Sequence, residues 1–124
     1  MSVRLLVFSA PEFVDADQMI GHVTATTGST KRLACAASGQ PAPRIFWYRD
    51  GVSLAADSAR EDIAMVDGRE LTSSHLTLRG LLPGDSGRYR CEASNRRGTI
   101  GFTYHLLVLG QLSGSVNENM TDVM

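Results

Sequence analysis

Apolar and polar positions alternate in short stretches along most of this chain, and glycine-, proline- and aspartate-rich turns separate the stretches. A period of two is typical of half-buried strands, and closely spaced turns between such strands favour an all-β sandwich or barrel. The pattern predicts strands at 5–14, 19–26, 31–37, 44–49, 52–54, 62–66, 75–79, 87–94 and 99–109. We therefore expect one domain at 10–109, an N-terminal extension at 1–9, a loop at 55–60 and a flexible polar tail or linker at 110–124.

Two cysteines stand at positions that are informative about the fold. Trp47 follows Cys35 by twelve residues, and Tyr89 precedes Cys91 by two. This spacing is that of an immunoglobulin-type sandwich, in which a disulfide joins the two sheets, the tryptophan packs on it and the tyrosine closes a corner. It predicts an antiparallel two-sheet β-sandwich with one inter-sheet disulfide and an oxidising compartment. A pair of buried free thiols, as in intracellular domains of this fold, is the alternative.

The alternation also divides each strand between an inward and an outward face. Because Cys91 must point inward to meet Cys35, residues two positions from either cysteine point inward too. The predicted inward residues are Leu33, Ile45, Trp47, Leu76, Leu78, Tyr89 and Ala93. The predicted outward residues are Phe46, Tyr48, Arg88, Arg90 and Glu92. Outward aromatics beside arginines are typical of protein interfaces, whereas a solvated face with arginine stems over the rings is the alternative.

A structural corner is predicted before the eighth strand. The Tyr89 hydroxyl is expected to bond to backbone within residues 82–85, as in the tyrosine corner of such sandwiches. Asp85 lies at the base of the sandwich and is expected to pair with an arginine that enters the sixth strand. Arg60 is the first candidate for that structural pair, and Arg69 is the substitute.

Composition and motifs argue against several classes of function. The net charge of −1 over 124 residues gives no field that would favour nucleic acid. The three histidines, His22, His75 and His105, fall on different predicted strands and match no metal motif. No phosphate loop or nucleophile motif is present, so we expect no catalysis, no cofactor and no metal.

Three features concern the compartment and the extent of the chain. No segment is long and apolar enough to insert directly into a membrane. The apolar run within residues 1–8 is shorter than the core of a signal peptide, so we expect this sequence to be part of a longer one. Asn119 begins an Asn-Met-Thr sequon and is a glycosylation candidate for a secreted chain.

Several motifs resemble those of an immunoglobulin I-set domain over residues 11–109. They are 35–43 (CAASGQPAP), 47–51 (WYRDG), 76–78 (LTL), 85–91 (DSGRYRC) and 93–95 (ASN). Others resemble the second immunoglobulin domain of fibroblast growth factor receptors and their kinase-lacking relatives. They are 10–13 (APEF) with Met19, 39–43 (GQPAP), 95–100 (NRRGTI) and 103–109 (TYHLLVL).

This resemblance implies an extracellular binding module of a cell-surface receptor, flanked by neighbouring immunoglobulin domains. In those receptors the domain binds growth factor and heparan sulfate, and the matching growth-factor positions here are Val23, Ala25 and Leu109. The stretch that matches the heparan sulfate site, residues 19–23, has no lysine or arginine, so binding there is not expected. Two alternatives stay open: a cell-adhesion domain that acts through the face of Phe46 and Tyr48, and an intracellular structural domain of a cytoskeletal or muscle protein.

Overall fold

The computed structural model describes residues 7–54 and 61–110. These residues form nine strands and two short 3₁₀ turns, the turns at Ala16–Gln18 and Pro83–Asp85. In chain order the strands are β1 (Ser9–Phe13), β2 (His22–Thr26), β3 (Lys31–Gln40), β4 (Arg44–Arg49), β5 (Val52–Ser53), β6 (Glu61–Asp67), β7 (Leu71–Leu78), β8 (Gly87–Asn95) and β9 (Gly98–Leu109).

The strands form two sheets that pack face to face. One sheet has the order β1-β3-β7-β6, and the other has the order β2-β9-β8-β4-β5. Neighbouring strands are antiparallel except for β2 and β9, which run parallel. The chain therefore changes sheet between β1 and β2, where Asp15 adopts a left-handed conformation with φ of 57° before the first 3₁₀ turn. The predicted two-sheet sandwich is confirmed, with this one parallel pair as an addition.

A single apolar core fills the space between the sheets. The disulfide between Cys35 of β3 and Cys91 of β8 joins the sheets through that core, as predicted. Trp47 lies opposite Cys91 in the β4–β8 pair, so its indole packs within the same layer. The largest fully buried apolar side chains around the disulfide are Trp47, Tyr89, Leu76 and Leu81.

Strand β7 begins earlier than the sequence pattern predicts, at Leu71 instead of residue 75. The reason is that its first inward positions hold hydroxyls instead of apolar side chains. Thr72 and Ser74 are buried, and the Thr72 hydroxyl donates a hydrogen bond of 2.6 Å to the Pro43 carbonyl. A pattern based on hydrophobicity does not register such positions, although the period of two is maintained through them.

Several predictions fall on other parts of the chain. The predicted loop at 55–60 with Arg60, the Asn119 sequon in the predicted tail, and most of the predicted extension lie outside the described residues. The first strand begins at Ser9, one position before the predicted start of the domain. Within residues 7–54 and 61–110, no helix is long and apolar enough to cross a membrane.

Candidate protein-interaction surface

The outward side chains of β4, β8 and β9 form a continuous surface on the five-stranded sheet. Strand register aligns them in two rows: Phe46 with Glu92 and Gly101, and Tyr48 with Arg90 and Thr103. Phe46 is 41% exposed, and Tyr48 is half-buried among its neighbours. We call this surface the β4–β8–β9 face, and its members are Phe46, Tyr48, Arg88, Arg90, Glu92, Gly101 and Thr103.

Arg90 is held in one position at the centre of this face. Its Nε donates a hydrogen bond of 3.1 Å to Glu92 Oε2, and its Nη1 lies 3.5 Å from Thr103 Oγ1. The guanidinium lies over Gly101, where a Cβ would stand only 2.0 Å from the Arg90 Nη2 atom. The absence of a side chain at Gly101 therefore lets the guanidinium lie flat against the sheet.

The turn between β4 and β5 borders the face and is attached to β8. Asp50 has a φ of 48°, and its Oδ1 accepts a hydrogen bond of 3.0 Å from the Arg88 backbone N–H. The Asp50 N–H in turn donates to the Arg88 carbonyl at 2.8 Å. A shallow hollow of about 360 Å³ results, lined by Tyr48, Asp50, Gly51, Arg88, Arg90, Glu92 and Thr103.

Phe46 lies at the other end of the face, beside Arg44. The Arg44 guanidinium carbon is 5.8 Å from the centroid of the Phe46 ring, within the range of a cation–π contact. A second hollow of about 380 Å³ opens beside Phe46, toward Leu54 and Ile63. The face therefore combines an exposed aromatic ring, a half-buried phenol and fixed charges of both signs.

The edge formed by β2 and β9 contains the three residues that were predicted to contact a growth factor. Val23 lies opposite Leu106 and Ala25 opposite Val108, and both side chains pack against the core. Both side chains are half-buried, because the parallel pairing with β9 turns them toward the buried layer, and their role as partner contacts stays a prediction. Leu109, the third predicted residue, is 49% exposed on the outward side. Leu107 is also outward, at 50%, and the sequence analysis missed it.

The corner before β8 contains the predicted tyrosine hydrogen bond and an unexpected arginine. The Tyr89 hydroxyl donates to the Asp85 carbonyl at 2.6 Å, and Asp85 Oδ2 accepts from the Leu82 N–H at 2.8 Å. Arg49 Nη1 lies 4.0 Å from Asp85 Oδ1, and Arg49 Nη2 donates to the Gly84 carbonyl. The sequence contained a signal for Arg49, because Arg49 lies two positions after the inward Trp47, at the end of the same strand. The predicted partner Arg60 lies outside the described residues.

The three histidines lie on three different strands, as predicted, but two of them are neighbours in the structure. His22 of β2 lies opposite His105 of β9, with ring centroids 5.2 Å apart and an interplanar angle of 24°. His75 is on β7 in the other sheet. In the described parts of the chain, no group of three or more His, Cys, Asp or Glu residues could hold a metal ion. The histidine pair was missed because its members are far apart in sequence and meet only through the β2–β9 register.

Two sheets joined through a disulfide, the tryptophan packed beside it and the tyrosine corner together define an immunoglobulin-type sandwich. The family model of the immunoglobulin I-set domain matches residues 14–108. The chain therefore belongs to the immunoglobulin I-set family, a non-catalytic fold.

Relatives of this chain include a receptor-like protein and a contactin, and a titin structure is similar to it. It is 37% identical to human fibroblast growth factor receptor-like 1 over 103 residues, which cover 82% of this chain and 19% of the relative. It is 36% identical to human contactin-2 over 105 residues, covering 85% of this chain and 9% of the relative. A solved chimeric titin Z1Z2 structure superposes with a TM-score of 0.72 at 32% identity, covering 85% of this chain and 99% of that one. The chain thus spans less than a fifth of each of these two cell-surface relatives.

Proposed function

We propose that this chain is an extracellular binding module of a cell-surface receptor or adhesion protein, and that it recognises a protein partner through the β4–β8–β9 face. The observation that carries the proposal is the Arg90–Glu92 pair fixed on β8 beside the exposed Phe46 and the half-buried Tyr48 of β4. Aromatic residues and arginine are the side chains most enriched where protein interfaces gain their binding energy.

The rigidity of the face supports this proposal. Its side chains stand on three hydrogen-bonded strands, and the guanidinium of Arg90 already has partners on Glu92 and Thr103. Side chains that are ordered before binding lose less conformational entropy when a partner arrives. A face of this kind would therefore present its groups to a partner with little rearrangement.

The disulfide and the cell-surface relatives support an extracellular setting. A disulfide that closes 56 positions of chain is expected in an oxidising compartment and is rare in the cytosol. The similarity to a titin structure is the basis of the alternative, an intracellular structural domain. Free thiols in the native protein, measured by thiol labelling under denaturing conditions, would favour that alternative.

A second candidate function rests on the β2–β9 edge. Leu107 and Leu109 are both about half exposed on the outward side of β9, and one relative is named as a growth factor receptor-like protein. Adjacent exposed leucines on a strand are a candidate docking patch for a protein ligand. Under this hypothesis the chain would bind a growth factor through this edge, with Leu107 and Leu109 in place of the inward Val23 and Ala25.

Two binding assays on the oxidised protein separate the candidates. Surface plasmon resonance measures binding to a panel of fibroblast growth factors with and without heparin, and sedimentation velocity measures self-association. Tyr48→Ala tests the β4–β8–β9 face, and Leu109→Arg tests the β2–β9 edge. Leu71→Ser is the matched control, because Leu71 is 44% exposed on the opposite sheet.

The outcomes of these assays are distinct. Self-association or partner binding that Tyr48→Ala abolishes, and that Leu109→Arg and Leu71→Ser leave intact, supports the proposal. Saturable growth-factor binding that only Leu109→Arg abolishes supports the second candidate. Equal losses with Leu71→Ser would mean that neither surface is specific, and both proposals would fail.

A further inference from the structure

We propose that His22 and His105 form a two-histidine site for a divalent transition-metal ion of the zinc class, a property that goes beyond partner recognition. The two residues face each other across the parallel β2–β9 pair, and both side chains are exposed. Their pairing follows from the strand register, so both imidazoles project from the same side of the sheet.

The distance between the rings fits coordination of one ion by both. Zinc binds histidine nitrogen at about 2.0–2.1 Å in tetrahedral geometry, which places the centroids of two coordinating imidazoles about 5 Å apart. The observed separation of the His22 and His105 centroids is 5.2 Å. The rings are stacked at an interplanar angle of 24°, so both must rotate about their side-chain bonds before a nitrogen of each is directed at a shared ion. Exposure of both side chains leaves room for that rotation.

The surroundings determine which ions the pair can hold. Imidazole nitrogen suits zinc, copper and nickel, whereas magnesium and calcium require oxygen donors. Arg88 lies opposite His105 on β8, but its Nε is 3.9 Å from Asp50 Oδ1, so its charge is partly balanced. Lys31 and Arg32 line the hollow beside His22 and add positive charge on the other side. These positively charged neighbours weaken the binding of a cation, so binding would depend on both imidazoles.

Two histidines also leave coordination positions open. A tetrahedral ion held by His22 and His105 has two further positions, which water or the donor atoms of another molecule can fill. Leu107 lies two positions after His105 on β9, and both side chains are on the outward side of the strand. A bound ion would therefore lie at the β2–β9 edge, apart from the β4–β8–β9 face.

The test uses the untagged, oxidised protein titrated with zinc chloride. Isothermal titration calorimetry measures affinity, and the histidine ring resonances are followed by NMR in the same titration. We expect His22 and His105 resonances to shift together while those of His75 stay unchanged. Loss of an outer-shell partner already weakens metal binding by about tenfold or more, so His22→Ala and His105→Ala, which each remove a direct ligand, should weaken zinc binding at least as much. His75→Ala is the matched control and should bind as the unsubstituted protein does, and magnesium chloride should give no response.

Three results would overturn the proposal: no saturable zinc binding, unchanged affinity in both single variants, or an equal loss in His75→Ala. Thermal unfolding of each variant establishes that it is folded. If a variant does not fold, the NMR titration of the unsubstituted protein decides alone, because shifts confined to other residues contradict the site.

Discussion

The indole Nε1 of Trp47 donates a hydrogen bond of 2.8 Å to Ser74 Oγ on the opposite sheet. Ser74 is fully buried and lies opposite Cys35 in the β3–β7 pair, so this bond runs beside the disulfide. The two sheets are thus connected through one layer of the core by a covalent bond and by a hydrogen bond. A large indole can be buried there because its single N–H has a partner, which the apolar pattern alone does not provide.

Replacement of this serine is expected to destabilise the domain. Ser74→Ala leaves the Trp47 N–H buried without an acceptor, which costs about 1–3 kcal/mol of the free energy of unfolding. Urea denaturation measures the change. Ser73→Ala, at the neighbouring half-buried position of the same strand, is the control and is expected to change the value by less than about 0.5 kcal/mol. Equal losses in the two variants would contradict this role of Ser74.

Removal of the disulfide is expected to cost more. For a bond that closes 56 positions, the chain-entropy model gives about 4 kcal/mol. The double variant Cys35→Ala, Cys91→Ala should lower the free energy of unfolding by roughly that amount, measured by urea denaturation. A change below about 1 kcal/mol would mean that the core alone holds the sheets together, contrary to this account.

Gly101 offers a way to disturb recognition without unfolding the protein. In Gly101→Ala the new Cβ meets the far end of the Arg90 side chain, so the guanidinium must leave its place on the sheet. We expect the free energy of unfolding to change by less than about 0.5 kcal/mol, because the displaced group is flexible and on the surface. Partner binding or self-association should weaken. Gly84→Ala is the control, since a Cβ there meets nothing within 4 Å. Unchanged binding in Gly101→Ala would contradict a role for the fixed guanidinium.

The stability of the domain is expected to fall at alkaline pH because of Tyr104. Burial raises the pKa of the Tyr104 phenol above its ordinary value of 10.0. Above that pH the unfolded chain releases the proton while the folded protein retains it, so the folded state becomes less stable as pH rises. We expect the stability advantage over Tyr104→Phe to shrink as the pH rises above about 10, measured by urea denaturation. A constant advantage would show that folding does not change the pKa of the phenol, a growing one would show that folding lowers it, and either result would contradict the prediction.

Much of this fold could be predicted because its core follows simple rules. Strand β4 has the predicted bounds, since branched and aromatic residues fill it and turn signals flank it. Tyr89 and Ala93 are buried, as the parity of Cys91 requires, and Leu76 and Leu78 are buried, as the alternation of their own strand predicts. The local pattern of residues fixes which side of a strand is inward once one member of the core is known.

Contacts between distant parts of the chain could not be predicted from the sequence. The buried hydroxyls of Thr72 and Ser74 carry no apolar signal, so the first half of β7 was missed. Likewise, the orientation of Val23 depends on its parallel register with β9, and no local pattern specifies a parallel partner. Arg49 has a signal in its inward parity, but the corner that it reaches lies far away in the sequence. Such placements become visible only when the sheets are assembled.

The central claim is that the β4–β8–β9 face recognises a protein partner, and one binding screen tests it most directly. The oxidised protein, multimerised to raise avidity, would be applied to an array of cell-surface ectodomains that includes this domain and fibroblast growth factors. The account predicts at least one partner whose binding Tyr48→Ala abolishes and Leu71→Ser preserves. Partners that bind Tyr48→Ala as well as the unsubstituted protein, or no binding to any member of the array, would contradict it.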